Sequence, residues 1–166
     1  MNRHGRLGDF RHAAGGIAVR YERRVDVPAA RLWAALTEPG ELARWLGHVT
    51  IAGREVTVRL GPGAPDGTGA VTYCQPVQML EVDLEWPELP PVRLVAEVAA
   101  LGEDRAVVVV EYRGLPRDDA AEQSARWHLR MDALARVAAG DGAPDGPPEP
   151  AADLVAAYQA HLGEVR

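Results

Sequence analysis

In "LEVDLEW" three acids, Glu81, Asp83 and Glu85, repeat at two-residue spacing, and carboxylates held this close can divide general-acid and general-base work. They alternate with Leu80, Val82, Leu84 and Trp86. In a strand of period two, that alternation sends the acids to the wet face and the apolar residues to the dry one. His128 follows Trp127 on a predicted helix, and a lone helix histidine is more often a flank or packing residue than a base. His4, His12, His48 and His161 are scattered without metal-ligand spacing. "GPGAPDGTG" lacks the lysine and following helix of a phosphate loop, and no Ser/His/Asp set is legible. There remain Tyr21, Tyr73, Tyr112 and Arg23, the residue types that fix an otherwise apolar ligand by one or two hydrogen bonds. The simpler reading makes the tyrosines half-buried core aromatics with wet hydroxyls. Arg23 interrupts the apolar alternation of its strand. A charge on a dry face must be paired or functional, unless a bulge turns it outward.

The composition narrows the function classes. A chain of 166 residues suggests one domain with a core of its own. The net charge of -6 argues against a nucleic-acid partner, and Arg23-Arg24 is too short a cluster to hold a phosphate backbone. One cysteine, Cys74, excludes an intrachain disulfide and a multi-cysteine zinc site. No apolar run reaches the ~20 residues that span a bilayer, and "MNRHGRLGDFRHAAGG" lacks the apolar centre of a signal peptide. A cytoplasmic location, no cofactor and no metal are expected.

The elements that must position these residues follow from periodicity. "IAVRYERRVDV" alternates as a half-buried strand, and Pro28 then opens a helix, "AARLWAAL", with Leu32, Ala35 and Leu36 on one side. Pro39-Gly40 breaks it, and "ELARWLG" makes a second short helix that Gly47 ends. "REVTVRL", "AVTYCQPV", "MLEVDLEW", "PPVRLVAEVAAL" and "RAVVVVEYRGL" read as antiparallel strands. "PRDDAAEQSARWHLRMDALARVAAG" then carries Trp127, Met131, Leu134 and Ala138 as one apolar helical stripe. The expected fold is α+β, a curved antiparallel sheet wrapped around a long C-terminal helix (a helix-grip), with two short helices after the first strand. Residues 1–15 read as a flexible tail and 16–140 as the domain. Residues 141–166 read as a Pro/Gly-rich linker, "DGAPDGPPEP", followed by a short amphipathic helix, "AADLVAAYQAHL".

Several residues carry a family resemblance. "RRVDVPAARLWAALTEPGELARWLG" is similar to the opening of START-like (SRPBCC) domains, and more narrowly to bacterial relatives of the C-terminal domain of the heat-shock-protein-90 ATPase activator. The matching positions are Asp26, Pro28, Trp33, Thr37, Pro39, Leu42, Trp45 and Leu46. "LEVDLEW", "VVVVEYRGL" around Gly114 and "ARWHLRMDALARVAAG" agree in order and spacing. Tyr112 stands where many relatives carry a histidine. The resemblance implies a cavity between the sheet and the long helix, with Trp45 at its lid and Trp33 in the core. Within that cavity the candidate ligand-binding residues are Tyr21, Arg23, Trp45, Tyr73, Trp86, Tyr112, Trp127 and Met131. The expected function is binding of a small apolar or amphipathic molecule, linked to stress or chaperone functions, by a monomer or homodimer. The alternatives are a cyclase- or dehydratase-like enzyme using the same cavity, or a chaperone-interacting protein. The last is weakened because the eukaryotic activator has an extra N-terminal domain for which this chain has no room.

Overall fold

The computed structural model describes residues 6–141 and 149–165. Along the chain they form β1 (Asp9–Ala13), β2 (Gly16–Val25), α1 (Ala29–Thr37), α2 (Pro39–Trp45), β3 (His48–Ala52), β4 (Glu55–Arg59), β5 (Gly67–Gln75), β6 (Met79–Glu85), β7 (Val92–Ala100), β8 (Ala106–Leu115), α3 (Ala120–Ala138) and α4 (Ala152–Gly163). The strands make one curved eight-stranded sheet in the order β1-β2-β8-β7-β6-β5-β4-β3, every neighbouring pair antiparallel. The two short helices carry the chain from one side of the sheet to its far edge, and a meander of hairpins brings it back to β2. This is the α+β architecture expected from the sequence.

The long helix covers the dry face because its apolar stripe has nowhere else to go. Trp127, Met131, Leu134 and Ala138 are all buried, with Leu134 at 0% exposure. Facing them, Val19, Tyr21, Val108 and Val110 project from β2 and β8. Helix α1 docks at the far end of α3. There Arg31 donates to the carbonyls of Val137 and Ala138 at 2.9 and 3.2 Å, satisfying acceptors that a helix C-terminus leaves open.

Both edge strands escape the sequence analysis. The tail assigned to residues 1–15 contains β1, which pairs with β2 across the turn at Ala14-Gly15, where Gly15 has φ +85°. β3 pairs with β4 only. Each is five residues long and mostly exposed; β1 has Phe10 as its one large apolar residue, and the alternation in β3 is confined to Val49 and Ile51, too short to be read as a strand. The Pro/Gly-rich linker falls largely on residues 142–148, outside those described. Helix α4 is present and buries Leu154 and Tyr158 against the body of the domain.

Leu134 measures how much the stability depends on the grip of α3. Leu134→Ala is expected to lower the unfolding free energy by ~2–5 kcal/mol in denaturant titrations at constant m-value, as for other large-to-small changes at sealed sites. An unchanged midpoint would contradict the packing described.

Candidate functional site

The half of the sheet formed by β4–β7 carries as apolar a face as the half under α3, yet a cavity of about 380 Å³ lies over it. Its floor is Val58, Val71, Leu80, Val82, Leu84 and Leu94 from β4 to β7. One wall is Trp127 of α3. The roof is Leu42, Trp45 and Leu46 at and just beyond α2. Of the lining residues, Ile51, Gly53, Arg54 and Cys74 are exposed and mark the mouth. The polar members of the lining are Thr37, Arg54 and Cys74, and the Thr37 hydroxyl already donates to the Trp33 carbonyl at 2.9 Å. A volume near the lower end of the usual ~300–1,000 Å³ range suits a small ligand held mainly by shape.

Trp45 owes its place to one hydrogen bond. The indole is 4% exposed and donates through Nε1 to the Ala35 carbonyl of α1 at 2.8 Å, which fastens α2 back onto α1. Trp33, expected in the core, is the less buried of the two and packs against the core from its border. Trp127, shared between recesses, lies 5.2 Å from the Tyr112 ring, and the Arg130 guanidinium sits 5.1 Å from its centroid. A second recess of about 240 Å³ brings together Trp86, Tyr112 and Trp127. Trp86 packs closely over β5 there because Gly67 has no side chain; a Cβ would come within 2.4 Å of its ring.

The remaining candidates line neither recess. Tyr21 and Arg23 do lie on the dry face, but both bind α3. The Tyr21 hydroxyl donates to the Ser124 carbonyl at 2.8 Å, and Arg23 Nε donates to Asp132 at 2.9 Å. The buried charge is thus paired. Met131 is sealed between α3 and the sheet. Tyr73 is displaced by a bulge: between Val71 and Tyr73 the register shifts by one residue, so Val71 faces Val82 while Cys74, not Tyr73, faces Leu80. The shift flips the alternation. Cys74 joins the cavity wall and Tyr73, 45% exposed, points away. Nothing in the alternation of "AVTYCQPV" signals that extra residue. Arg54 escaped notice for a different reason: an arginine in a hairpin turn looks like any solvated charge.

The acids at 81, 83 and 85 keep to the opposite side of β6, where Asp83 accepts from its cross-strand partner Arg93 at 2.7 and 3.0 Å. Hydrogen bonding to that guanidinium holds the Asp83 carboxyl below its ordinary value. His128 belongs to a buried chain of polar groups that ties the termini to α3. Gly8 N–H donates to the Tyr158 hydroxyl at 2.8 Å, and that hydroxyl lies 2.9 Å from His128 Nδ1. On the other side of the ring, His128 Nε2 lies 3.4 Å from Asp132. Among the described residues no group of three His, Cys, Asp or Glu is placed to hold a metal ion.

Residues 26–139 match the family model described as "Activator of Hsp90 ATPase homolog 1-like protein". No curated protein sequence matches the chain. Among solved structures, CalU16 from Micromonospora echinospora superposes with a TM-score of 0.69 at 18% identity, covering 94% of this chain and 91% of that one. EF2215 from Enterococcus faecalis, described as a conserved protein of unknown function, gives 0.75 at 18% identity over 96% and 92%. The Aha1 dimer from Colwellia psychrerythraea gives 0.63 at 14% identity over 75% and 97%. At these identities the likeness is one of fold.

The buried phenols set the alkaline limit of the fold. Burial raises Tyr112 and Tyr158 from 10.0 to about 12, and the chain contains no lysine to titrate alongside them. Between those values the unfolded chain loses phenolic protons that the folded chain keeps, so the stabilisation present below pH 10 is lost as pH rises toward about 12. Equilibrium unfolding across this window should show stability falling with pH, with a shallower fall in Tyr158→Phe. An identical slope in the variant would show that Tyr158 is not sealed.

Proposed function

The chain belongs to the activator of Hsp90 ATPase homolog 1-like family, and from that membership and the cavity under α2 we propose that it binds a small apolar or amphipathic molecule between the sheet and the long helix. The observation that carries this reading is the composition of the cavity. An apolar sheet face, left uncovered by α3, meets an apolar roof at a volume suited to one small ligand. Packed interiors seldom leave such space unless something occupies it.

Binding is favoured over cyclase- or dehydratase-like catalysis by the same lining. Acid–base chemistry calls for converging titratable groups, and the lining brings Arg54 and Cys74 to the mouth with no carboxylate or imidazole opposite them. A role beside a chaperone would use the outer faces and leave the cavity without a task. We take the protein to act in the cytoplasm, as a monomer or, like the Colwellia relative, a dimer.

Native mass spectrometry of protein purified without harsh solvents should show a retained small molecule or uptake of an added apolar fluorophore. Tryptophan emission should change on uptake in Trp33→Phe, and the change should be smaller in Trp45→Phe, where Trp127 is the remaining tryptophan of the lining. Val82→Trp, which fills the cavity from its floor, should abolish uptake while leaving the fold intact by circular dichroism. If Val82→Trp binds the fluorophore as the parent does, the cavity is not the binding site.

A further inference from the structure

Every charged side chain at the rim of a binding cavity has a reason to be asked about, and Arg54 is the charged residue of this lining. Elsewhere on the sheet the arginines are paired. Arg59 bonds Asp66, Arg93 bonds Asp83, and Arg11 and Arg113 share Glu111. The Arg54 guanidinium makes no hydrogen bond or ion pair with any described residue. The Arg54 backbone is nevertheless held in place. It occupies the two-residue turn between β3 and β4, where Gly53 supplies the left-handed conformation (φ +63°). Its own carbonyl accepts from the Val71 N–H at 2.8 Å, tying the turn to a residue of the cavity floor.

We propose that the cavity takes an amphiphile with an anionic head group, its apolar body over Val71, Val82 and Leu94 and its head at the mouth against Arg54. This rests on the cavity-binding reading and adds the charge of the ligand to it. The physical case has three parts. An apolar wall with no carboxylate in the lining leaves the field of one cation uncancelled. A guanidinium offers a planar fork that matches a carboxylate by two parallel N–H···O bonds. Because Arg54 is exposed, the head group stays partly hydrated and avoids the desolvation cost of full burial. The chain as a whole carries net charge -6, so attraction of an anion here has to come from this local cation and not from the overall field.

Decanoate, decanol and decylamine share one apolar body and differ in head charge, so they make the test. Affinity can be read by calorimetry and location by the alkylation rate of Cys74, the chain's one thiol, which lines the same mouth. The full chain should bind decanoate about tenfold more tightly than decanol, the equivalent of one charge-assisted contact, and added salt should narrow the gap. Decanoate should also slow alkylation of Cys74. Arg54→Gln should abolish the preference by lowering decanoate affinity to about that of decanol, and Arg54→Glu should reverse it in favour of decylamine. Equal binding of decanoate and decanol to the parent, or a preference that survives Arg54→Gln, overturns the head-group assignment while the cavity stands. If none of the three binds or protects Cys74, the cavity reading falls and this inference with it.

Discussion

One helix cannot cover eight strands. At about 4.8 Å between neighbours the sheet is ~34 Å across, whereas a helix with its side chains is about 10 Å wide. Curvature lets α3 touch more than a flat sheet would allow, but apart from Trp127, which reaches the cavity, its stripe is sealed in the core. The apolar face of β4–β7 has to be closed by something else. Two short helices do this, and they are too short to fill the space. The cavity is what remains between a sheet that must be dry on one face and a cover that is narrower than the sheet.

How firmly that cover is held follows from the same shortage of material. Helix α2 has seven residues, fewer than an isolated helix needs to be stable, so its order depends on packing and on the Trp45–Ala35 hydrogen bond. The other end of the domain is held differently. There Gly8, Tyr158, His128, Asp132 and Arg23 form a continuous polar chain through the interior, joining the N-terminal segment, β2, α3 and α4. Most of its polar atoms are satisfied by the next member, which is what makes buried polar groups tolerable, although Arg23 Nη2 is buried without a hydrogen-bond partner. Rigidity is thus concentrated on the α4 side and the weaker cover lies over the cavity, the arrangement expected of elements that open for a ligand.

The sequence makes α3 legible because Trp127, Met131, Leu134 and Ala138 repeat at helical spacing, and the meander legible because its strands alternate. It makes the edge strands illegible. Phe10 in β1 meets Tyr158 and His161 edge-on or tilted at 5.8 and 5.6 Å, contacts that depend on a helix more than a hundred residues away. The site is legible only in part for a related reason. Leu80, Val82 and Leu94 look the same in sequence whether helix or empty space lies above them. Trp45 and Trp127 stand out by type, Tyr21 and Arg23 stand out but serve α3, and the bulge that exchanges Tyr73 for Cys74 is a matter of one unpaired residue. Arg54 becomes visible only when its neighbours are seen to leave it without a partner.

The central claim, that the space between α2 and the β4–β7 face is a ligand site, is tested most directly by methyl-resolved NMR during titration with a small amphiphile. The account predicts that the methyl signals of Val71, Leu80, Val82 and Leu94 shift together and saturably, while those of Val19 and Val108 beneath α3 stay in place. Saturable shifts confined to residues outside the cavity, or none at any concentration below that at which the amphiphile aggregates, would contradict it.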